Sequence, residues 1–182
     1  MYETIGFLEL NSIAKGIEAA DAILKAAETE LIFARASCPG KYYILFTGEV
    51  AAVTASIEAG ALIGGANTVD KCVIPRVHPQ VIAAINSAVE PVTTNALGVM
   101  EFFSVTAAVY AADAAVKAAD VKLMDVRLGT GIGGKSFVIL TGEVAAVNES
   151  INCGINTENA VGMVVSNVVI PNPRPEIFES LM

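Results

Sequence analysis

Histidine occurs once in the 182 residues, at His78, and no two of the three cysteines form a Cys-x-x-Cys pair. His78 precedes Pro79 and a short helix and has Arg174 as its counterpart, so it reads as a cap or surface residue and not as the base of a Ser-His-Asp or Cys-His set. Cys38, Cys72 and Cys153 are not spaced like a disulfide framework. Charge is also scarce. Charged residues make up 16% of the chain, against about a quarter of an ordinary globular protein. Basic residues number 11 against 19 acids, a formal net charge of −8, which lacks the basic footprint that nucleic acid requires. Long apolar runs are missing too. A membrane span needs roughly 18 apolar residues in succession, but FFSVTAAVYAA stops at Asp113 and AVGMVVSNVVI is short and polar in its middle. The opening MYETIGFLEL carries Glu3 and Glu9 and no basic n-region, so no secretory signal is expected. Apolar residues are what the chain has in quantity. They reach 54%, mostly Ala, Val and Ile. The expectation is a soluble cytoplasmic protein that buries much of its outside against copies of itself.

The chain repeats itself. GFLELNSIAKGIEAADAILKAAETEL, from Gly6, returns as GVMEFFSVTAAVYAADAAVKAADVKL, from Gly98. KYYILFTGEVAAV, from Lys41, returns as KSFVILTGEVAAV, from Lys135. Between these blocks the second copy is two residues longer, in the stretch from Arg127 to Lys135. ASIEAG, ending at Gly60, matches ESINCG, ending at Gly154, and VIPRVHP, ending at Pro79, matches VIPNPRP, ending at Pro175. The boundary is expected in EPVTTNA, giving domains 1–91 and 92–182.

Each copy reads in the same order. TIGFLEL predicts a strand, and Ser12 caps a helix from Ile13 to about Ala27. Ile13, Ile17, Ala20, Leu24 and Ala27 recur at helical spacing and predict its buried side. ELIFARA and KYYILFTG predict strands two and three. GEVAAVTASIEAG predicts a second helix ending at Gly60, TVDKCVIP a fourth strand, and HPQVIAAINSA a short third helix. Four strands and two main helices per copy suggest an α/β fold of the α+β type, a sheet with helices packed on it. Cys72, inside a strand, is expected in the core, and Cys153, near a helix end, in the core or in small-residue packing. Glu49 and Glu143 follow Thr-Gly at helix starts, where a carboxylate suits the helix dipole.

LNSIAKGIEAADAILKAA, TGEVAAV and VIPRVHP together resemble the tandem-domain shell proteins of bacterial microcompartments, over nearly the whole chain and in both halves. The resemblance is closest to the propanediol-utilisation type subgroup with a pore iron–sulfur cluster. It implies two fused domains, each with a four-stranded antiparallel sheet. It further implies a homotrimer shaped as a pseudohexamer, and tiles that pack edge to edge with neighbouring shell proteins within the cytoplasm. A structural protein, not an enzyme, is implied. Lys25 and Lys117, each in DAxxKAA, match the edge lysine of the tile, and Arg76 in IPR matches the edge arginine. Asn172 replaces that arginine in the second copy, so that edge contact is altered.

The loop before the third strand lines the central pore in this family. Here it comprises Ser37, Cys38, Pro39 and Gly40 in the first copy, and Gly129, Thr130, Gly131, Ile132, Gly133 and Gly134 in the second. The SCPGK and GIGGK forms are similar to the cluster-bearing subgroup. By that resemblance, three Cys38 thiolates on a threefold axis hold one [4Fe-4S] cluster per trimer, the fourth iron taking water, a small ligand or a partner's group. Thiolate is the ligand iron–sulfur clusters use. Lys41 and Arg35 either offset cluster charge, support the loop or face solvent. A luminal redox enzyme is the implied electron partner.

Two other readings stay open. The pore loops could pass small metabolites with no cluster. GTGIGGKS, residues 129–136, satisfies the P-loop pattern and admits a soluble nucleotide-binding regulator or enzyme. A phosphate cradle, however, needs a helix after the lysine, and SFVILTG reads as a strand.

Overall fold

The computed structural model describes residues 4–86, 95–129 and 131–181. By packing it divides into two units, Met1–Val77 and His78–Met182. The division expected between residues 91 and 92 lies outside the described residues.

The first unit runs β1 (Thr4–Leu10), α1 (Ile13–Ala26), β2 (Thr29–Ser37), β3 (Lys41–Gly48), α2 (Val50–Gly64) and β4 (Thr68–Pro75). The second opens with α3 (Pro79–Ile85) and continues β5 (Ala96–Phe102), α4 (Val105–Ala118), β6 (Val121–Leu128), β7 (Ser136–Gly142), α5 (Val144–Asn156), β8 (Val164–Pro171) and α6 (Pro175–Ser180). Strand order is β2-β3-β1-β4 in one sheet and β6-β7-β5-β8 in the other, and every pairing is antiparallel. Register irregularities fall at matched places, between Leu31 and Phe33 in one sheet and between Leu123 and Asp125 in the other. The duplication therefore extends to the hydrogen-bond ladder.

Local chemistry explains the boundaries. The Ser12 and Ser104 hydroxyls accept from Lys15 N and Ala107 N, satisfying a helix-start donor in each copy. After each sheet, Pro79 and Pro175 open α3 and α6, where a missing N–H has no cost. Thr47 and Thr141 each donate a side-chain hydrogen bond across the sheet, to the carbonyls of Thr4 and Ala96 at 2.8 Å.

The first core lies between its sheet and α1/α2, with Leu8, Leu10, Ala19, Ala20, Ile23, Ile44, Phe46, Val53 and Ile57 buried together. β1 alternates its side chains across the sheet. Leu8 and Leu10 join the helix-side cluster, while Ile5, Phe7 and Glu9 are buried on the opposite face. In the second unit that opposite face carries α6, whose Phe178 packs with Leu97 and Ile139.

Three expectations change. Ile13, Ile17 and Leu24 of α1 are 44%, 57% and 43% exposed. The buried face is instead Gly16, Ala19, Ala20 and Ile23, because small residues let the helix lie close against its sheet and α2. Gly60 does not end α2, which runs on to Gly64 and closes at Gly65 with φ 51°. A Cβ on Gly60 would lie 2.6 Å from Ile23, so this glycine serves close helix packing rather than capping. Cys153 is exposed, since α5 buries Val147, Ser150, Ile151 and Gly154 on another side. Cys72 is buried, as expected, and burial pushes its thiol pKa well up.

The segment Val50–Asn67 has the length and hydropathy of a membrane span. The helix proper has 15 residues, or about 22 Å at 1.5 Å per residue, short of the roughly 30 Å hydrocarbon layer. It is docked on α1 and β1 as one layer of the fold.

Gly16 tests the close packing. A Cβ there would lie 2.4 Å from Cβ of Tyr42, an atom that moves only with its backbone. Gly16→Ala should lower stability in urea unfolding by about 1–3 kcal/mol despite the gain in helix propensity.

Candidate functional site

The β2–β3 hairpin carries the first candidate pore loop. Ser37 pairs with Lys41 across the ladder, which leaves Cys38, Pro39 and Gly40 as the turn. The Cys38–Pro39 peptide is cis and Gly40 has φ 74°, a left-handed conformation that glycine adopts without penalty. Ser37 is buried at the hairpin's end, while the Cys38 thiol is free and exposed.

The base of this turn is held from β1. Lys41 Nζ forms an ion pair with Glu9 Oε1, and the Glu9 side chain is 2% exposed. Burial pushes the Glu9 carboxyl pKa up, opposed by the hydrogen bond and charge of Lys41, with Asp70 adding to the rise. A buried charge is retained where a partner and a hydrogen bond accompany it, and Lys41 supplies both. The lysine therefore anchors the loop. Arg35 does not pair with Glu9; its guanidinium lies over the Phe33 ring at 4.2 Å.

Tyr43 completes the support. It is fully buried, with its ring 5.6 Å from that of Phe7. Burial pushes its phenol up to about 12, the Glu9 carboxylate adds to the rise, the Ser37 hydroxyl opposes it, and Cys38 adds further. Neither Tyr43 nor the Glu9–Lys41 pair stood out as part of a site in the sequence. The available signal was the return of Glu and Lys as Glu101 and Lys135.

The second loop runs from Gly129 to Gly134, with Thr130 outside the described residues. Gly129, Gly131, Gly133 and Gly134 all have positive φ, at 68°, 76°, 67° and 82°. Ile132 O accepts from Lys135 N at 3.3 Å. Lys135 pairs with Glu101 at 2.9 Å, but this pair is more open than its twin, at 45% and 35% exposure. Arg127 pairs with Asp125 at 2.6 Å, in place of the Arg35–Phe33 contact. Strand β7 begins at Ser136. No helix follows Lys135, so the P-loop pattern lacks the N-terminus that would receive phosphate.

The candidate edge residues occupy unequal settings. Lys25 Nζ reaches Asp21 at 2.6 Å with both side chains largely exposed, a pair worth about 0.3–0.5 kcal/mol. Lys117 Nζ reaches Asp113 at 2.5 Å, and that carboxylate is only 10% exposed. His78 N also donates to Asp113, at 2.8 Å. Arg76 and Asn172 share a left-handed backbone, φ 50° and 47°, and are exposed. Among the described residues of one chain, no three His, Cys, Asp or Glu side chains converge on a point.

A family model, the BMC domain, matches residues 4–77 and again 96–173. The chain belongs to the BMC-domain family. Over 182 residues it is 38% identical to "Bacterial microcompartment shell protein PduT" of Citrobacter freundii, covering 100% of this chain and 99% of that one. Shell protein PduA of the same organism is 39% identical over 87 residues, 47% of this chain and 90% of its own, as expected of a single-domain relative. A crystal structure of a microcompartment protein from Desulfitobacterium hafniense DCB superposes with a TM-score of 0.89 at 48% identity, over 98% of this chain and 99% of that one. This BMC-domain protein is a structural shell component of a bacterial microcompartment in the cytoplasm and not an enzyme. Its tandem α/β fold is that of the pseudohexameric trimers that tile such shells.

Alkaline titration tests the buried phenol. Tyr43 stays protonated in the folded protein up to about 12, while the unfolded chain ionises near 10. The stability from the neutral buried phenol should thus be present below pH 10 and lost as pH rises through about 12. Tyrosinate difference spectra of Tyr43→Phe should lack the highest step, and its unfolding should lose this alkaline slope.

Proposed function

We propose that the chain is a shell tile whose pore carries a redox centre, one [4Fe-4S] cluster per trimer on three Cys38 thiolates. The observation that carries this reading is the exposed thiol at the tip of the β2–β3 turn, with only glycines and Ile132 described in the matching turn of the second copy. One thiolate per chain becomes three on a threefold axis, one each for three irons.

The residues present fit the group. Cys38 is free, and Gly40 has open space where a side chain would stand. Soft thiolate is the required donor. The cluster, when bound, supplies one-electron transfer. The chain's own residues hold the thiol in place. Lys41 ties the turn to the buried Glu9, and the buried Tyr43, packed on Phe7, interacts with Ser37 and Cys38. Gly129–Gly134 has no side chain bulk at its glycines to crowd the same opening. Electrons would pass across the shell to a luminal redox enzyme. Lys25, Lys117 and Arg76 would serve the tile edges, with Asn172 giving one edge a weaker contact.

A pore that conducts small metabolites without a cluster is the competing reading, favoured by the glycine-rich second loop. Anaerobic purification with iron and sulfide assay and EPR, beside Cys38→Ser, separates the two. About four irons and four sulfides per trimer are expected for the wild type, and near zero for the mutant, which keeps its trimer. Equal iron in both proteins would end the cluster assignment. An iron-free wild-type trimer after anaerobic reconstitution would favour the metabolite pore.

A further inference from the structure

The two copies differ most in what is covered. In the second unit, α3 packs against β6 and α4, and Val105, Val109, Val116 and Leu123 are all at most 8% exposed. Two hydrogen bonds fix that seat. His78 N donates to Asp113 Oδ1 at 2.8 Å, and Leu123 N donates to Gln80 Oε1 at 2.9 Å. The counterparts in the first copy are Ile13, Ile17, Leu24 and Leu31, and they are 44%, 57%, 43% and 37% exposed. Asp21 stands where Asp113 stands, but its ion pair with Lys25 is open to solvent.

The segment equivalent to α3 is α6, at the far end of the chain. Arg174 takes the place of His78 and Glu176 that of Gln80. Both are exposed and paired with each other at 3.2 Å. Nearby β8 leaves Val168 and Ile170 46% and 37% exposed, although their counterparts Cys72 and Ile74 are buried. The chain thus presents two unmatched surfaces: the seat on α1 and β2, and the plug on β8 and α6. One chain's plug cannot be the isologous partner of another's plug; the fit is head to tail, and head-to-tail contacts form a ring when the rotation between copies closes.

We propose that the α1/β2 seat receives the Arg174–Ser180 segment of a second copy of this chain. Arg174 N donates to Asp21 and its guanidinium lies beside that carboxylate. Leu31 N donates to the Glu176 carboxylate, as Leu123 N donates to Gln80. Ile13, Ile17 and Leu24 lose their exposure in the contact. Both joints use an aspartate, but the joint between chains places Arg174 and Glu176 where the joint within the chain has His78 and the neutral Gln80, so it carries more charge. Its strength therefore falls with salt. This inference rests on the trimer reading and names the residues that close it.

Native mass spectrometry and sedimentation velocity of the full chain test it, at about 0.1 M and about 0.5 M salt, between which the Debye length falls from about 10 Å to about 4 Å. The wild type should run as three chains. Glu176→Ala and Asp21→Ala should each raise the dissociation midpoint by about tenfold or more, and Asp21→Ala should flatten the salt dependence. Glu176→Gln should retain association, because an amide oxygen does the same work at Gln80. The Leu31 amide should exchange slowly in the wild type and fast in Glu176→Ala. Asp113→Ala should lower the unfolding temperature and leave the mass at three chains. A wild-type trimer whose two alanine variants associate and exchange as the parent does would overturn the joint while leaving the trimer. A wild type that stays a single chain would overturn both.

Discussion

A central strand buried on both faces governs this protein. β1 lies between β3 and β4, and each of its seven residues is buried. One side carries Leu8 and Leu10 into the helix layer. The other carries Ile5, Phe7 and Glu9, so a charged residue sits in a layer that water does not reach. Burial of that kind persists only with a partner, and the partner is Lys41, the first residue after the Cys-Pro-Gly turn. A buried charge in the sheet thereby holds the base of the turn that carries an exposed thiol.

The second copy keeps the framework and relaxes this constraint. Glu101 and Lys135 pair as Glu9 and Lys41 do, but half in solvent. The turn above them is longer and built on four left-handed glycines. Duplication has let one hairpin carry an exposed cysteine on a short Cys-Pro-Gly turn and the other a glycine-rich loop. A single-domain shell protein repeated around an axis would give all its pore loops the same side chains. Fusion allows the two loops to differ, and only the first of them carries a cysteine.

The same divergence appears at the outer surfaces. α1 and α4 carry matched apolar stripes, yet α4's is covered and α1's is bare. An apolar excess with little charge makes sense for a chain that leaves such surfaces for others of its kind. Small residues on the inner helix faces complete the pattern. Gly16, Ala19 and Ala20 bring α1 against the sheet closely enough that its larger residues are left outside.

What could be read in the sequence was local or repeated. The succession of strands and helices, the serine caps and the hairpin turns follow from short-range chemistry. The duplication showed as identical residue runs, and in each half those runs carried the family resemblance. What could not be read depended on who faces whom. Helical spacing marked Ile13, Ile17 and Leu24 as one stripe, but spacing is silent on whether a neighbour covers it. Gly60 looked like a cap because a cap and a close contact both ask for a missing side chain. Cys153 sat on the outside because α5 turned Val147, Ser150, Ile151 and Gly154, not its thiol, inward. The primary structure determined two copies of one α/β unit and a lone thiol in one tight turn. Only tertiary packing decided that Glu9 is buried beneath Lys41, that Tyr43 is buried against Phe7, and which apolar stripe is left open, because those outcomes depend on residues far apart in the chain excluding water together.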